Sequence, residues 1–459
     1  MDGLQGVFNY SVEFPADDDT VIIIAPNGYG KTALLSLLKD CVALNLKGAA
    51  THTFNVLEIH FADRSMWRFE RGLEEERLRD EDMVRYRNMV SHSSYESYRE
   101  RFYPNQFTVT LSRTDRNGAP VVEELPDFEN LNPRLLSRVL RAMPEVFSQT
   151  LDRPPGSGSP IRPRDLFRRH YREIVSNPRA RDMLQAADPS LLWPYVEAMD
   201  CLFIETQRLL YAKEQNKEES DKSVSQEEIL RQAERLSQLL QRNYSDYAAR
   251  SQALDRSFPS RLIKQARSSP PPNIDRLRLA LQEIEQRRAA LTEAGILVEQ
   301  TDPFITTVDD ILPKVADALQ VYVRDSREKL ATYDSIYPRI SAFRDLMNKK
   351  LKPKQIEIGR EFGASVVRGN QTFSLQGLSS GEKHEFIMLF KLIFDTKPGS
   401  LVLIDEPEIS LHVVWQLEFM ADLRRVQATS PFQSIIATHS PQIFQGCRHL
   451  LVDLADQAA

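Results

Sequence analysis

Hydrophobic residues recur along this chain with distinct rhythms, and each rhythm predicts a different kind of element. Val21 to Ile24, Leu401 to Ile404 and Ser434 to Ala437 are short apolar runs rich in β-branched residues. Runs of that kind read as strands buried on both faces of a parallel sheet. Leu202 to Leu209 reads as a further strand with a polar end. Two hairpins are predicted, one pairing Phe54–Phe61 with Ser65–Glu70, the other pairing Gln106–Ser112 with Pro120–Glu124 across an Asn117-Gly118 turn. Elsewhere the spacing is helical. Ala33, Leu34, Leu37 and Leu38 predict a helix directly after the first apolar run. Ser225 and Glu228 form a capping box ahead of Ile229, Ala233, Leu236 and Leu240. The segment Arg267–Asn273 breaks the chain, and Ile274, Leu277, Leu281, Ile284 and Leu291 resume a heptad spacing that Arg288 interrupts. This predicts a short antiparallel coiled-coil hairpin, in which an arm of about 20 residues spans roughly 30 Å.

Chemistry gathers at the ends of the apolar runs. After Ile24 comes Ala25-Pro26-Asn27-Gly28-Tyr29-Gly30-Lys31-Thr32, and then the first helix. Strand, glycine-rich loop and helix is the context of a phosphate-binding loop. Asn27, Gly28, Tyr29 and Gly30 turn backbone amides towards phosphate, Lys31 reaches the β- and γ-phosphates, and Thr32 holds Mg²⁺. Ala25 replaces the usual first glycine, a small change unless that position needs a positive φ. The Leu401 run ends in Asp405 and Glu406. Ligands in parallel sheets bind beyond the carboxyl ends of the strands, so Asp405 is a candidate Mg²⁺ ligand and Glu406 a candidate general base for water. His439 follows the Ser434 run and is a candidate contact for the γ-phosphate or the attacking water. Leu378-Ser379-Ser380-Gly381-Glu382 has two readings: a capped helix start, or a phosphate contact through Ser379, Ser380 and Gly381.

In this order the motifs resemble those of ABC-type ATPases: a phosphate loop, an LSGGQ-like signature, a hydrophobic-Asp-Glu strand and a switch histidine. Ile404-Asp405-Glu406-Pro407-Glu408-Ile409-Ser410-Leu411-His412 is similar to the OLD- and RecF-like branch, with Val413 where proline is usual. The resemblance implies ATP and Mg²⁺ as cofactors and nucleotide sites formed between protomers, hence a homodimer or higher oligomer. On this pattern Ile409 to Leu411 cross to the partner subunit, Ser379 to Gly381 contact ATP held by another copy, and Gln207 contacts Mg²⁺ and water in a Q-loop. Gly3 to Tyr10, with Phe203 to Arg208, resemble the ATPase subunits of two-gene, toxin–antitoxin-like anti-phage systems, the PARIS type (AriA) more than the Septu type (PtuA). That narrower likeness implies a separate effector, a TOPRIM-type nuclease, and a phage-encoded trigger protein.

The implied fold is α/β, an ABC-type ATPase head with a large helical insertion. Residues 1–128 are the β-rich first lobe with the phosphate loop, 129–200 an arginine-rich helical region, and 201–212 the Q-loop strand. Residues 213–352 are the insertion with its coiled-coil hairpin, and 353–459 a parallel-sheet second lobe with signature, Asp-Glu strand and switch histidine.

Composition narrows the partners. A net charge of −6 argues against a wholly basic nucleic-acid binder. Residues 132–185 nevertheless carry eleven arginines against five acids and no lysine. That stretch reads either as a surface for nucleic acid or an acidic partner, or as a solvated helical face, which the sparse aromatics favour. The three cysteines, Cys41, Cys201 and Cys447, have no zinc or disulfide spacing and suit a reducing cytoplasm. Neither a signal peptide nor an apolar run of about 20 residues is present, so no membrane attachment is expected. Lys31 and Ser379 lie 348 residues apart, far more than in transporter ATPases, and the twenty residues after His439 leave no room for a TOPRIM domain. Any nuclease is therefore expected on a second protein. Two rivals remain: a RecF- or SMC-like DNA-repair ATPase, and a scaffold that binds ATP without turnover.

Overall fold

In the computed structural model the described residues are 1–43, 48–49, 51–62, 64–71, 107–114, 120–124, 135, 138–139, 141–143, 174, 177–187, 200–205, 228–268, 273–298 and 312–457. Gln207, Ser225, the Asn117-Gly118 turn and most of the arginine-rich stretch lie outside them. The first strands and helices are β1 (Thr20–Ile24), α1 (Lys31–Val42), β2 (Val56–His60), β3 (Met66–Arg71), β4 (Phe107–Thr114), β5 (Pro120–Glu124), α2 (Pro178–Ala187) and β6 (Cys201–Ile204). Four helices follow: α3 (Glu228–Ser268), α4 (Ile274–Glu293), α5 (Leu312–Leu330) and α6 (Tyr337–Lys350). The remainder is β7 (Gln355–Gly359), β8 (Gly363–Arg368), β9 (Gln371–Phe373), α7 (Ser380–Phe390), β10 (Leu401–Asp405), α8 (Val413–Thr429), β11 (Gln433–Thr438) and β12 (Leu451–Asp453).

The apolar runs meet in one five-stranded sheet of order β12-β1-β11-β10-β6. Every pairing in it is parallel. Val21, Ile22, Ile23, Val402, Leu403, Ile404, Ile436 and Ala437 are buried, as strands covered on both faces must be. Helix α1 packs against β6, β10 and β11, seating Leu34, Leu35 and Leu37 in a core shared with Val21, Ile23 and Leu403. The parallel sheet expected within residues 353–459 thus draws strands from three places, with β1 and β6 joining β10 to β12. Both predicted hairpins form, and together they make the antiparallel sheet β2-β3-β4-β5. Trp67 and Phe69 of β3 are wholly buried in the same core.

Packing divides the chain into two units that cut across its linear order. Residues 1–205, 397–407 and 432–459 form one, and 206–396 with 408–431 form the other. The second unit is mostly helical. The break expected near Pro270 separates α3 from α4, and Ile229, Ala233, Leu236, Leu240, Leu277, Leu281, Ile284 and Leu291 are all buried as the periodicity predicts. Both predicted arms form as helices, but each packs chiefly on a third helix, α5, rather than on the other arm, so the two-helix coiled-coil hairpin expected from the sequence is replaced by a three-helix arrangement. The first arm is also longer than reckoned: α3 runs for 41 residues, about 60 Å at 1.5 Å per residue. Arg250 with Glu328, Arg261 with Asp325 and Lys329 with Asp255 pair α3 to α5. Arg327 with Glu283 pairs α5 to α4. Phe343 of α6 meets Phe386 and Phe390 of α7 edge-on, with ring centroids 5.1 and 6.1 Å away. Among the described residues no helix is long and apolar enough to cross a membrane.

Candidate functional site

Register along the parallel sheet determines what gathers at its carboxyl edge. Ile24 pairs with Thr438, Asp405 with Ala437, and Ile404 with Ile204. The glycine-rich loop, the Asp405-Glu406 pair, His439 and Glu205 therefore leave the sheet at the same level. The loop, Glu205 and the Asp405-Glu406 pair lie far apart in the sequence, and His439 follows Glu406 only after a whole helix; the parallel pairing makes them neighbours.

Gly28 and Gly30 hold φ values of 90° and 75°, in the left-handed region, and Gly30 caps α1. Only glycine takes that conformation without steric cost. Ala25 needs no positive φ, so the departure there is accommodated. Lys31 opens α1 almost fully buried, and its Nζ donates to the Ala25 carbonyl at 2.8 Å. The same Nζ lies 2.5 Å from His439 Nε2. Thr32 Oγ1 donates to Asp405 Oδ2 at 2.9 Å. A hydroxyl and a carboxylate this close are hard oxygen donors of the kind Mg²⁺ takes alongside phosphate and water, and the pair fits the cation expected from the sequence.

Glu406 sits at φ 45°, unusual for a residue with a side chain. Its amide donates to the Ala437 carbonyl at 2.8 Å, which carries the parallel pairing of β10 with β11 one residue past Asp405. Its Oε1 is 3.7 Å from His439 Nε2. Lys31, Thr32, Asp405, Glu406 and His439 are thus linked by a short chain of contacts. Such a constellation can bind polyphosphate, hold a cation and activate water.

The loop also has aromatic support that sequence reasoning did not assign. The Tyr10 hydroxyl donates to the Tyr29 carbonyl at 2.7 Å, and Phe8 stacks on both Tyr10 and Tyr29. Burial, with Tyr29 beside it, pushes the Tyr10 phenol up to about 12. The phenol therefore stays protonated and remains a donor to the loop. In the sequence Gly3 to Tyr10 carry only a family likeness, because nothing local places Tyr10 beside Tyr29.

The signature segment lies in the second unit. Ser379 caps α7, with its amide donating to Glu382 Oε2 at 2.7 Å and its hydroxyl accepting from the Glu382 amide. Lys354 binds the same carboxylate at 2.7 Å. Burial pushes the Glu382 pKa up, but Lys354 and the Ser379 hydrogen bonds outweigh it and leave the group below its ordinary value. The capped-helix reading is therefore met in full, while Ser379 and Ser380 stay exposed. A Cβ at Gly381 would stand 2.5 Å from the Ser410 carbonyl oxygen. Only glycine fits, because the 409–411 loop presses on the first turn of α7. His412 caps α8, which puts Val413 at a first helical position, where proline would be equally at home.

Beneath this junction Lys350 of α6 lies 2.9 Å from Glu385 of α7 and 2.8 Å from Asp422 of α8, all three buried. Burial lowers the Lys350 pKa, and the two carboxylates overcome that and raise it. One lysine thus ties the signature helix to the helix after the 409–411 loop. Lys350→Met leaves two buried carboxylates without their cation, a change that costs about 3–5 kcal/mol. A lower urea midpoint for this variant, partly restored by adding Glu385→Gln, is the expected result.

With the geometry in place, a family assignment follows. Residues 204–444 match the family described as "AAA domain, putative AbiEii toxin, Type IV TA system", just over half of the chain. The chain belongs to that family. It is a P-loop ATPase family, and the matched region holds the signature, Asp405, Glu406 and His439, while the phosphate loop precedes it. No curated protein matches the chain. Among solved structures it is similar to the Smc head domain with an extended coiled coil bound to the C-terminal domain of ScpA, from Pyrococcus furiosus. That likeness has 12% identity and a TM-score of 0.30, covering 97% of this chain and 89% of the other. An SmcHead bound to the C-winged helix domain of ScpA matches with the same identity and coverage, at a TM-score of 0.32. Scores this low carry no weight for the fold of this chain.

Proposed function

We propose that this chain is an ABC-type ATPase that assembles two or more copies around ATP and Mg²⁺ and holds a separate effector in an anti-phage defence complex. The observation that carries the ATPase part is the convergence of Lys31, Thr32, Asp405, Glu406 and His439 at one edge of a parallel sheet. In this reading the amides of Asn27 to Gly30 and the Lys31 ammonium bind the phosphates. Thr32 and Asp405 hold the cation, which when bound neutralises phosphate charge. Glu406 takes the proton of the attacking water, and His439 orients the terminal phosphate or that water. Gln207 adds a contact from the segment after β6. Ser379, Ser380 and Gly381 serve the nucleotide of a neighbouring copy.

Assembly is supported by an apolar surface on the second unit. Ile409, Val413, Val414 and Leu417 are each more than a third exposed, and a face of that kind suits contact with another protein surface. The defence role rests on the family's description and on the likeness of Gly3–Tyr10 and Phe203–Arg208 to PARIS-type and Septu-type ATPase subunits. It brings with it a TOPRIM-type nuclease as effector, a phage protein as trigger and a cytoplasmic setting.

The test is to co-express the chain with the product of the adjacent reading frame and measure the mass of the purified complex with and without ATP. A nuclease-type neighbour that co-purifies, with at least two copies of this chain in ATP, is the expected result. Assembly only on DNA, without a nuclease neighbour, would replace this reading with that of a repair ATPase.

A further inference from the structure

The second unit holds an open groove of about 740 Å³ between α3 and the small sheet β7-β8-β9. No residue of the phosphate loop, the Asp405-Glu406 pair or His439 lines it. Leu230, Leu375 and two phenylalanines give it an apolar floor. Phe362 and Phe373 remain 47% and 44% exposed, an unusual amount for two aromatic rings lining one depression. Glu234, Glu357 and Glu361 also line it, and among the described residues no lysine, arginine or histidine does. All three glutamates are exposed, and among the described residues none has an ion-pair partner.

The groove is held in shape. Its wall is the Gly359–Gly363 turn that joins β7 to β8. Gly363 approaches α3 so closely that a Cβ there would stand 1.8 Å from the Ala233 carbonyl oxygen. Ser237 Oγ donates to the Arg360 carbonyl at 2.7 Å. The Arg360 guanidinium lies 3.7 Å from the ring centroid of Tyr244 on α3. This clamp ties up the one base of the turn and leaves Glu361 and Phe362 presented to solvent. Beside them β9 is an outer strand of its sheet, with all of Gln371–Phe373 exposed.

We infer that this groove is a docking site for an extended, basic segment of a partner protein, one that sets an aromatic or aliphatic side chain between Phe362 and Phe373 and arginines or lysines against the three glutamates. The charge complementarity sets the sign of the partner, and the apolar floor sets the need for an anchor. An outer strand beside the floor favours an extended shape, because such strands accept another strand alongside. A preformed wall keeps the ordering cost on the partner's side alone. The inference is independent of the nucleotide reading.

The probe is a fluorescein-labelled peptide of alternating arginine with phenylalanine and leucine, titrated with the full chain and followed by anisotropy. A control peptide carries glutamate in place of arginine. The basic peptide is expected to bind, more weakly as salt rises, and the acidic one not to bind. E234K/E357K/E361K is expected to weaken binding at least about tenfold, and so is F362A; all four positions are exposed, and an unchanged thermal-unfolding midpoint reports that the variants are folded. Equal binding of both peptides, or no loss in either variant, overturns the proposal. So does F362A lowering the mass of the chain's own assembly with no peptide bound by the wild type, which would assign the groove to a second copy.

Discussion

Replacing Lys31 with alanine is expected to weaken ATP binding by one to two orders of magnitude. The ammonium is nearly buried beside the Ala25 and Pro26 carbonyls and His439, at the mouth of the glycine-rich loop. In the proposed reading the ammonium donates to a phosphate oxygen of ATP, and a hydrogen bond between charged groups contributes about 1.5–3 kcal/mol, which is roughly 10- to 150-fold in affinity. Part of any loss from alanine could come from the void left by the side-chain stem rather than from its charge. Lys31→Met separates the two, because it keeps most of the stem and removes only the ammonium. Titration of each variant with a fluorescent ATP analogue decides the matter. If Lys31→Met binds as tightly as the unmodified chain, the loop is a structural turn between β1 and α1 and the phosphate reading fails.

What was legible in the sequence followed from local rules. Apolar runs of four residues read as buried strands because parallel strands are covered on both sides, and Val21–Ile24 and Leu401–Ile404 form as expected. The glycines of the phosphate loop were legible because positive φ demands them. The heptad positions of α3 and α4 were legible because a helix exposes its period directly. Long-range pairing was another matter. Nothing in Thr20–Ile24 specifies β11 and β12 as its neighbours, and only the assembled sheet does so. The same holds for Lys350, which reads as one more polar residue in a charged helix until α7 and α8 bring Glu385 and Asp422 to it. Helix α5 carries an amphipathic stripe as strong as that of α3, but nothing within Leu312–Leu330 names α3 and α4 as the helices it packs against. Tyr10 was missed for want of any local pattern, since its role depends on the position of Tyr29 in space.

The largest effect is expected at Glu406. Its backbone is held at φ 45° by the hydrogen bond from its amide to Ala437, a conformation that costs energy in an isolated chain and persists only where its surroundings impose it. The consequence is that the carboxylate is presented at the end of β10, 3.7 Å from His439, instead of following the strand's alternation. Glu406→Gln preserves size, shape and the anchoring amide, and removes only the capacity to take a proton. If Glu406 is the base, ATP turnover falls by about 10²–10⁴-fold while ATP binding is retained. The ATP-bound assembly should then accumulate and outlast that of the unmodified chain. Single-turnover hydrolysis, measured together with the mass of the ATP complex, reads both quantities in one preparation. A rate unchanged by the substitution would mean that hydrolysis is not carried by this residue, and would favour a scaffold that binds ATP without needing to turn it over. Loss of turnover together with loss of ATP binding would instead place Glu406 among the groups that hold the nucleotide, which the Thr32–Asp405 pair, at 2.9 Å, is already positioned to do without it.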